Sequence, residues 1–233
     1  MAAMIDGPVM RDGSYTSYGF ASEGWRYILP IAALLLLALV AGWCVASAVL
    51  LAVLLFLLNF FRDPDRVSPV DEGVVVAPAD GRVIRAVGDD HGGRIDIFMN
   101  VFNVHVNRAP LSGRITSMRY FPGKFVNASF DTASEENERN RFVLTTDDGV
   151  EFAFTQIAGL VARRIVSYVA VGDRVRIGER IGMIRFGSRV DCELPAGYEV
   201  SVVEGEMVVA GETVIARAID SARDSVSQQS CDA

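Results

Sequence analysis

The stretch Gly73–Val101, GVVVAPADGRVIRAVGDDHGGRIDIFMNV, decides the fold class of the chain. It contains two apolar, β-branched runs, bounded by an Asp-Gly pair at 80–81 and a Gly-Gly pair at 92–93, and such pairs signal turns. The later segments continue this pattern, with a further Asp-Gly turn at 148–149, and none shows a long helical period. We therefore predict a mostly β domain over residues 74–220, a usual size for one hydrophobic core.

The C-terminal part of this domain carries an internal repeat. The segments GDRVRIG at 172–178 and GEMVVAG at 205–211 share the pattern Gly-x-x-Val-x-x-Gly. Two copies are too few for a solenoid, so they predict two similar hairpins packed across a barrel or sandwich hybrid. Biotinyl and lipoyl carrier domains have such an arrangement, and a swinging-arm carrier is one function hypothesis. A carrier would need a lysine to modify at a hairpin tip, and this region has none.

A long uncharged run precedes the β domain, because no charged residue occurs between Arg26 and Arg62. As one helix its 35 residues would measure about 50 Å, whereas the hydrocarbon core of a bilayer is about 30 Å thick. Two short spans that break near residues 41–44 fit better. The predicted organisation is an N-terminal segment 1–26, a membrane hairpin 27–61, a linker 62–73, the β domain and a polar tail 221–233.

The residues that flank the hairpin predict its topology. Arg11 and Arg26 precede the apolar run, and Arg62 and Arg66 follow it, with no charge in the turn between the helices. The positive-inside rule therefore places both ends, and with them the β domain, on the cytoplasmic face of the cell membrane. A hairpin that only inserts into the interface, without spanning the bilayer, remains open as an alternative.

Charge and histidine content argue against two classes of function. The net charge of −7 argues against nucleic acid as a partner. A membrane-anchored metallopeptidase with a similar β core is the second function hypothesis, but it would require two or three histidine ligands. The chain has only two histidines, and no cysteine or aspartate cluster has the spacing of a zinc site. We therefore expect no metal.

Six motifs, taken in order, resemble the phosphatidylserine decarboxylase family in its short, archaeal-type form. The resemblance runs from about Phe60 to about Ala218, and the hydrophobic hairpin in front of it also matches the N-terminal region of that family. The motifs are FFRDPDR (60–66), PADGRV (78–83), FNVHVNRAP (102–110), NERNRF (137–142), QIAGLVARRIV (156–166) and FGSRVD (186–191). The Gly-Ser pair in the last motif is the most specific element.

The resemblance implies a self-processing enzyme. The Gly187–Ser188 peptide bond is where the proenzyme of this family cuts itself, and Ser188 would become a covalently bound pyruvoyl group, the cofactor. The products would be a β chain of residues 1–187 and an α chain of residues 188–233, which remain associated. The pyruvoyl group would form a Schiff base with the amine of phosphatidylserine, CO₂ would leave, and phosphatidylethanolamine would be released for phospholipid biosynthesis.

The resemblance also implies roles for other residues. Asp80 would orient a histidine base during self-cleavage, and His105 would be that base and would transfer a proton in decarboxylation. Longer family members carry His-x-x-His where this chain has His105-Val-Asn-Arg108, so their Asp-His-Ser triad need not transfer intact. Arg139, Arg163 and Arg164 are candidates for binding the substrate phosphate or carboxylate, and a structural role is the alternative for each.

The function predicted from the sequence is therefore that of a membrane-bound, pyruvoyl-dependent phosphatidylserine decarboxylase. A homologue without activity, or one that acts on a different amino-acid head group, is the main alternative within the family. A non-catalytic lipoyl- or biotinyl-like domain is the alternative outside it. The sequence leaves open whether the protein is a monomer or a homo-oligomer.

Overall fold

The computed structural model describes residues 16–17, 19–123, 137–159, 165–185 and 188–219. Two short strands and one 3-10 turn open the described chain: β1 (Thr16–Ser17), β2 (Phe20–Ala21) and the turn Ser22–Gly24. Two helices follow them, α1 (Trp25–Val40) and α2 (Cys44–Phe60). The remainder is antiparallel β-structure. This confirms the prediction of a mostly β domain preceded by a helical hairpin.

The two helices form a hairpin that breaks where the sequence predicts. Helix α1 ends at Val40, and the chain reverses through Gly42, whose φ of +73° is a conformation that glycine adopts readily. Val40 and Val45 on either side of this tip are each 80% exposed. The segment Ser22–Val40 has a mean hydropathy of 1.6 and is long enough to cross a membrane, and only 22% of it is buried, unlike the core helix of a soluble domain.

An eight-stranded antiparallel sheet forms the centre of the β domain. Its order is β11-β7-β8-β9-β13-β5-β4-β15. The strands are β4 (Gly81–Asp89), β5 (Gly92–Met99), β7 (Gly113–Phe121), β8 (Arg139–Thr145), β9 (Glu151–Ala158), β11 (Arg174–Val175), β13 (Ser188–Leu194) and β15 (Met207–Val208). Alternate residues of the central strands face the main hydrophobic core, which includes Ile97, Phe142, Phe154 and Val190.

Two three-stranded sheets complete the domain and reveal its pseudo-symmetry. One has the order β10-β12-β6 and the other β14-β16-β3. Their strands are β3 (Val74–Val76), β6 (Val106–Arg108), β10 (Ile165–Ser167), β12 (Arg180–Ile184), β14 (Tyr198–Val200) and β16 (Val214–Ala218). The two repeats predicted from the sequence occupy equivalent places, because β11 and β15 close opposite edges of the central sheet. They meet at Gly178 and Gly211, where a Cβ on Gly211 would lie 3.3 Å from the Gly178 Cα.

The base of the hairpin is fixed to the sheet β10-β12-β6 by a second apolar cluster. Phe60 and Phe61 are fully buried there, together with Val106, Tyr168 and Met183. The Tyr168 hydroxyl donates a hydrogen bond of 3.0 Å to Glu23, which precedes α1. The hairpin is therefore packed against the β domain at its base and is not a loosely tethered anchor.

A buried ion cluster holds the linker that follows the hairpin. Asp63 accepts hydrogen bonds from Arg108 at 3.0 Å and from Arg180 at 2.5 Å. Arg108 also donates to the Pro64 and Gly178 carbonyls, each at 2.9 Å. The arginine that stands where longer family members have their second histidine therefore connects the linker to the β domain.

We expect Asp63→Asn to destabilise the protein strongly. The substitution leaves the Arg108 and Arg180 guanidinium groups close together without the carboxylate between them, which costs about 3–5 kcal/mol for a buried pair. The apparent Tm in detergent should fall by roughly 10 °C. Asp65→Asn is the matched control, since the Asp65 side chain is fully exposed and its ion pair with Arg180 should contribute less than about 1 kcal/mol. Equal Tm values for the two variants would contradict this account.

Candidate active site

Ser188 is the first residue of β13, and two neighbouring strands hold it from both sides. It lies opposite Met99 at the end of β5 and opposite Ala158 at the end of β9. Its side chain is fully buried, and its Oγ has no hydrogen-bond partner within the part of the chain that the structure describes. A buried hydroxyl without a partner is unfavourable, so this position carries a cost that packing alone does not explain.

Polar side chains continue from Ser188 along the core face of the sheet. Asn140 on β8 lies opposite Gln156 on β9, and Gln156 in turn lies opposite Val190. The Gln156 amide donates to Asn107 on β6 at 2.8 Å, and Asn107 contacts the Met99 sulfur at 3.7 Å. Within the described ranges, Asn140 Oδ1 and Gln156 Oε1 are buried without partners. Together with Ser188 Oγ they form a row of hydrogen-bonding atoms at one end of the apolar core.

His105 lies at the same end of the domain and is fully buried. Its backbone carbonyl accepts a hydrogen bond of 3.3 Å from Ile184, and Ser188 follows Ile184 by four residues, a reach of at most about 14 Å. The imidazole ring packs against the Phe60 ring at the base of the hairpin, with 4.2 Å between the ring centroids. The site is therefore next to the point where the hairpin joins the β domain.

The hydrogen bond of the His105 ring fixes its tautomer. Nδ1 lies 2.9 Å from the Asn103 carbonyl oxygen, which can only accept, so Nδ1 carries the proton. In the neutral ring Nε2 then has the free lone pair, and no described residue hydrogen bonds to it. Burial lowers the pKa of His105 from 6.5 to about 4, with a smaller opposing effect of the Asn103 bond. His105 is therefore a neutral base at pH 7.

This burial predicts a dependence of stability on pH. The unfolded chain binds a proton at His105 below pH 6.5, whereas the folded protein does so only below about pH 4. Stability is therefore lost as the pH falls through this window, by about 3 kcal/mol at most. Thermal unfolding in detergent between pH 7 and about pH 4.5 should show the loss.

His105→Asn is the comparison that isolates this effect. Burial raises the pKa of Asp191 to about 6, so this carboxyl group favours the folded state as the pH falls and opposes the histidine. Subtracting the pH profile of His105→Asn from that of the wild type removes the contribution of Asp191. An identical pH profile for the two proteins would show that His105 is not a buried neutral group.

Asp80 does not contact His105 in this structure. Its Oδ1 accepts a hydrogen bond of 2.8 Å from the Ala210 amide, and its Oδ2 accepts one of 3.0 Å from Arg66. The orienting contact between Asp80 and His105 that the resemblance implies is therefore absent, because Asn103 occupies the position of the orienting group. Asp80 instead connects the linker residue Arg66 to the C-terminal repeat.

The predicted arginine sites are only partly described. Arg139 lies on β8 with its side chain on the face opposite to Asn140, where its guanidinium is 4.6 Å from the centre of the Phe121 ring. A substrate role for Arg139 stays a prediction, but this placement is not on the Ser188 face of the sheet. Gly187, Arg163 and Arg164 lie outside the described residues.

A buried ion network lies on the other face of β13, directly behind Ser188. Arg189 is fully buried and donates to Asp191 at 2.5 Å and to Asp96 on β5 at 2.6 Å. Arg94 completes the network by donating to Asp96 and Asp191. These contacts hold the start of β13 against β5, so that the backbone at Ser188 is fixed from behind.

Sequence reasoning overlooked the polar row on the core face. A signal for it was present, because Phe152, Phe154 and Gln156 alternate along β9 and should face the same side. The same alternation places Asn140 in line with Phe142 on β8. Alternation along a strand predicts which positions face the core, and a polar residue at such a position indicates a functional site.

Comparison with known proteins gives a consistent result. The family model for phosphatidylserine decarboxylase matches residues 53–216. The phosphatidylserine decarboxylase proenzyme of Erythrobacter litoralis is 48% identical over 214 residues, which cover 84% of this chain and 86% of that protein. The proenzyme of the same name from Solidesulfovibrio magneticus is 48% identical over 87% of this chain and 97% of its own length. That of Symbiobacterium thermophilum is 49% identical over 84% of this chain and 94% of its own length.

These matches confirm the resemblance that the six motifs carry, whereas the assignment to the short, archaeal-type form stays a prediction. They also remove the reasons for considering a carrier domain or a metallopeptidase, neither of which shares the row of motifs that ends at Gly187-Ser188. The chain belongs to the phosphatidylserine decarboxylase family.

Proposed function

We propose that this protein is a self-processing, pyruvoyl-dependent decarboxylase that converts phosphatidylserine to phosphatidylethanolamine and CO₂ at the membrane. The observation that carries the proposal is the position of Ser188. Ser188 belongs to the Gly-Ser pair that the family shares, and it is the first residue of the central strand β13. Its hydroxyl is fully buried and has no partner among the described residues. Cleavage before this residue frees the end of β13 and leaves the pairing of that strand intact.

The surroundings of Ser188 fit a pyruvoyl group. Formation of the group begins when the Ser188 hydroxyl attacks the Gly187 carbonyl to give an ester. Loss of the Ser188 α-proton then expels the Gly187 carboxylate, and hydrolysis of the resulting dehydroalanine releases ammonia. A buried, largely apolar site with a few polar atoms suits the first two steps, since it limits competing hydrolysis of the ester. The last step consumes one water molecule, which has to enter the site. The pyruvoyl group, once formed, supplies the electron sink into which the bond to the departing CO₂ breaks.

The side chains around Ser188 have separate roles in this proposal. His105 Nε2 is the base that takes a proton, because Nδ1 is already committed to the Asn103 carbonyl. His105 and Ser188 do not hydrogen bond directly in this structure, so direct proton transfer between them would require a change of conformation. Asn140 and Gln156 provide buried acceptors for the ammonium hydrogens of a bound substrate.

The location of the site also suits a lipid substrate. His105 packs against Phe60 at the base of the apolar hairpin, so a head group that is still anchored in the bilayer can reach the site. The flanking arginines favour the cytoplasmic face of the cell membrane by the positive-inside rule. The two chains would remain associated because β13, at the start of the α chain, pairs on both sides with strands of the β chain.

The experiment that tests this function measures release of CO₂ from vesicles that contain phosphatidylserine labelled at the carboxyl carbon. Activity should be abolished by hydroxylamine, which condenses with a ketone, or by borohydride with substrate, which reduces the Schiff base between the ketone and the substrate amine. Chelators should have no effect. Vesicles in which the head group is a different amino acid serve as the control. An intact protein that cuts itself and leaves every such head group unchanged would support the inactive homologue instead.

A further inference from the structure

The apolar hairpin α1–α2 is shorter than a bilayer once its docked base is excluded. After Tyr27, which is 37% exposed, Leu29 is the first exposed aliphatic residue of α1, and the tip lies at Gly42, thirteen residues further on. At 1.5 Å per residue the exposed apolar part is therefore about 20 Å long. The hydrocarbon core of a bilayer is about 30 Å thick. A hairpin that enters from one side can therefore pass the midplane, but it does not reach the opposite side of the hydrocarbon core.

The surface of the hairpin is apolar on every side, which indicates lipid as its environment. Val45, Val49 and Val53 lie along one face of α2, whereas Leu51 and Leu55 lie on another, and all five are exposed. A second protein copy would cover one face of the hairpin only. A helix pair that is apolar all round is typical of hydrocarbon surroundings.

Two arginines mark the level at which the polar surface begins. Arg26 lies 16 residues before Gly42 at the tip, and Arg62 lies 18 residues after Cys44, where α2 begins, so they are about 24 Å and about 27 Å from the tip along the helices. The polar surface of a bilayer lies about 20–22 Å from its midplane. With the tip at the midplane, both guanidinium groups therefore lie at the level of the lipid phosphates or just beyond it.

The contacts of these arginines leave room for an anion. Arg62 donates to the Asn59 and Phe102 carbonyls, and Arg26 donates to the Tyr27 hydroxyl. No carboxylate in the described part of the chain pairs with either of them. Phe102, on the loop that leads to His105, is 67% exposed beside Arg62 and adds an aromatic side chain at the same level.

We infer that the hairpin enters a single leaflet, with Trp43 near the bilayer midplane and Arg26 and Arg62 on the phosphates of the leaflet that faces the β domain. This inference rests on the membrane attachment proposed above. A spanning hairpin would require the tip at the far interface, which draws Arg26 about 6 Å and Arg62 about 3 Å into the near hydrocarbon. Insertion into one leaflet keeps them hydrated and places His105 at the depth of the head groups.

The depth of Trp43 tests the inference. The chain has two tryptophans, so Trp25→Phe leaves Trp43 as the only tryptophan, which can be excited selectively in the presence of the six tyrosines. The full chain is reconstituted into vesicles whose lipids carry bromine either near the glycerol or near the methyl end of the acyl chain. We expect the deep bromine to quench most of the Trp43 fluorescence and the shallow bromine much less. The matched variant Trp43→Phe, which retains Trp25 at the base of the hairpin, should show the reverse order.

Cys44 at the tip distinguishes the alternatives to this result. In a Cys231→Ser variant the remaining thiols are Cys44, which is exposed on the protein, and Cys192, which is buried. A membrane-impermeant maleimide should label Cys44 from neither side of the vesicle until detergent is added. Labelling from the far side would show a spanning hairpin, and labelling from the near side a hairpin on the surface. Either result, or bound protein whose Trp43 no bromine quenches, would overturn the inference.

Arg26 gives an independent measurement of the phosphate contact. Arg26→Gln should weaken binding about fivefold to vesicles of anionic phospholipid and also weaken binding to vesicles of neutral phospholipid, since both carry phosphate, whereas Arg26→Lys should restore it. Unchanged binding by Arg26→Gln, or a loss that Arg26→Lys does not restore, would contradict a phosphate contact. A wild-type chain that binds neither kind of vesicle would refute the membrane attachment itself. This outcome is distinct from a chain that binds vesicles but inserts its hairpin to a different depth.

Discussion

The Ser188→Ala variant is expected to remain a single chain of 25.3 kDa and to have no decarboxylase activity. Alanine lacks the hydroxyl that attacks the Gly187 carbonyl, so neither the ester nor the pyruvoyl group can form. Because Ser188 Oγ has no partner among the described residues, its removal should not lower stability. Intact mass under denaturing conditions is the measurement. The wild type should give two chains, of which the smaller starts at residue 188 and is lighter by one ammonia than a peptide beginning with serine.

A buried serine elsewhere in the same fold provides the control for this result. Ser167 on β10 is also buried, but its hydroxyl donates to the Val169 carbonyl at 2.7 Å. Ser167→Ala should therefore lower stability by about 1 kcal/mol and still allow the chain to cut itself. If Ser188→Ala still yields two chains, or if the folded, membrane-bound wild type yields one, then Gly187-Ser188 is an ordinary turn and the proposed cofactor is absent.

The His105→Asn variant is expected to lose activity by a factor of about 10² to 10⁴, the range for removal of a general base. Asparagine can still donate to the Asn103 carbonyl, but it has no basic nitrogen that corresponds to Nε2. Activity on phosphatidylserine vesicles gives the effect on decarboxylation, and intact mass gives the effect on cleavage. Comparing the two measurements separates a role in self-cleavage from a role in proton transfer to the substrate.

His91 is the natural control, because it is the only other histidine and lies exposed in the turn between β4 and β5. His91→Asn should cut itself and decarboxylate at the rate of the wild type. A His105→Asn protein that does both at the wild-type rate would remove His105 from the mechanism. The base would then have to be sought among the residues that the structure leaves undescribed.

Much of the architecture could be predicted from local sequence signals. The absence of charge between Arg26 and Arg62 predicts the hairpin, and its excess length predicts the break that the structure has at Gly42. The Gly-x-x-Val-x-x-Gly repeat similarly predicts the two equivalent units that meet at Gly178 and Gly211. These features depend on residues close together in the chain, where period and turn chemistry are sufficient.

The partners of the site residues were less predictable, since they depend on contacts between distant segments. Asp80 is bound by Ala210, 130 residues away, and the pattern around Asp80 contains no trace of that contact. Phe60 lies in what reads as a membrane helix, yet its ring packs on His105. The role of Arg108 in holding Asp63 likewise requires the position of the linker, which no period or motif supplies.

Because β13 lies in the centre of the sheet, cleavage in front of it affects how readily the protein can refold. In the uncut chain, β13 is covalently connected to β5 and β9. Pairing of β13 with these strands is then opposed mainly by the entropy of closing the connecting loop. After the cut, the same assembly would need two separate molecules to meet. We therefore expect denatured mature enzyme to regain its fold far less readily than denatured Ser188→Ala, and at a rate that depends on concentration. Cleavage at the proposed bond would therefore make folding practically irreversible, and the lifetime of the mature protein would depend on how slowly it unfolds.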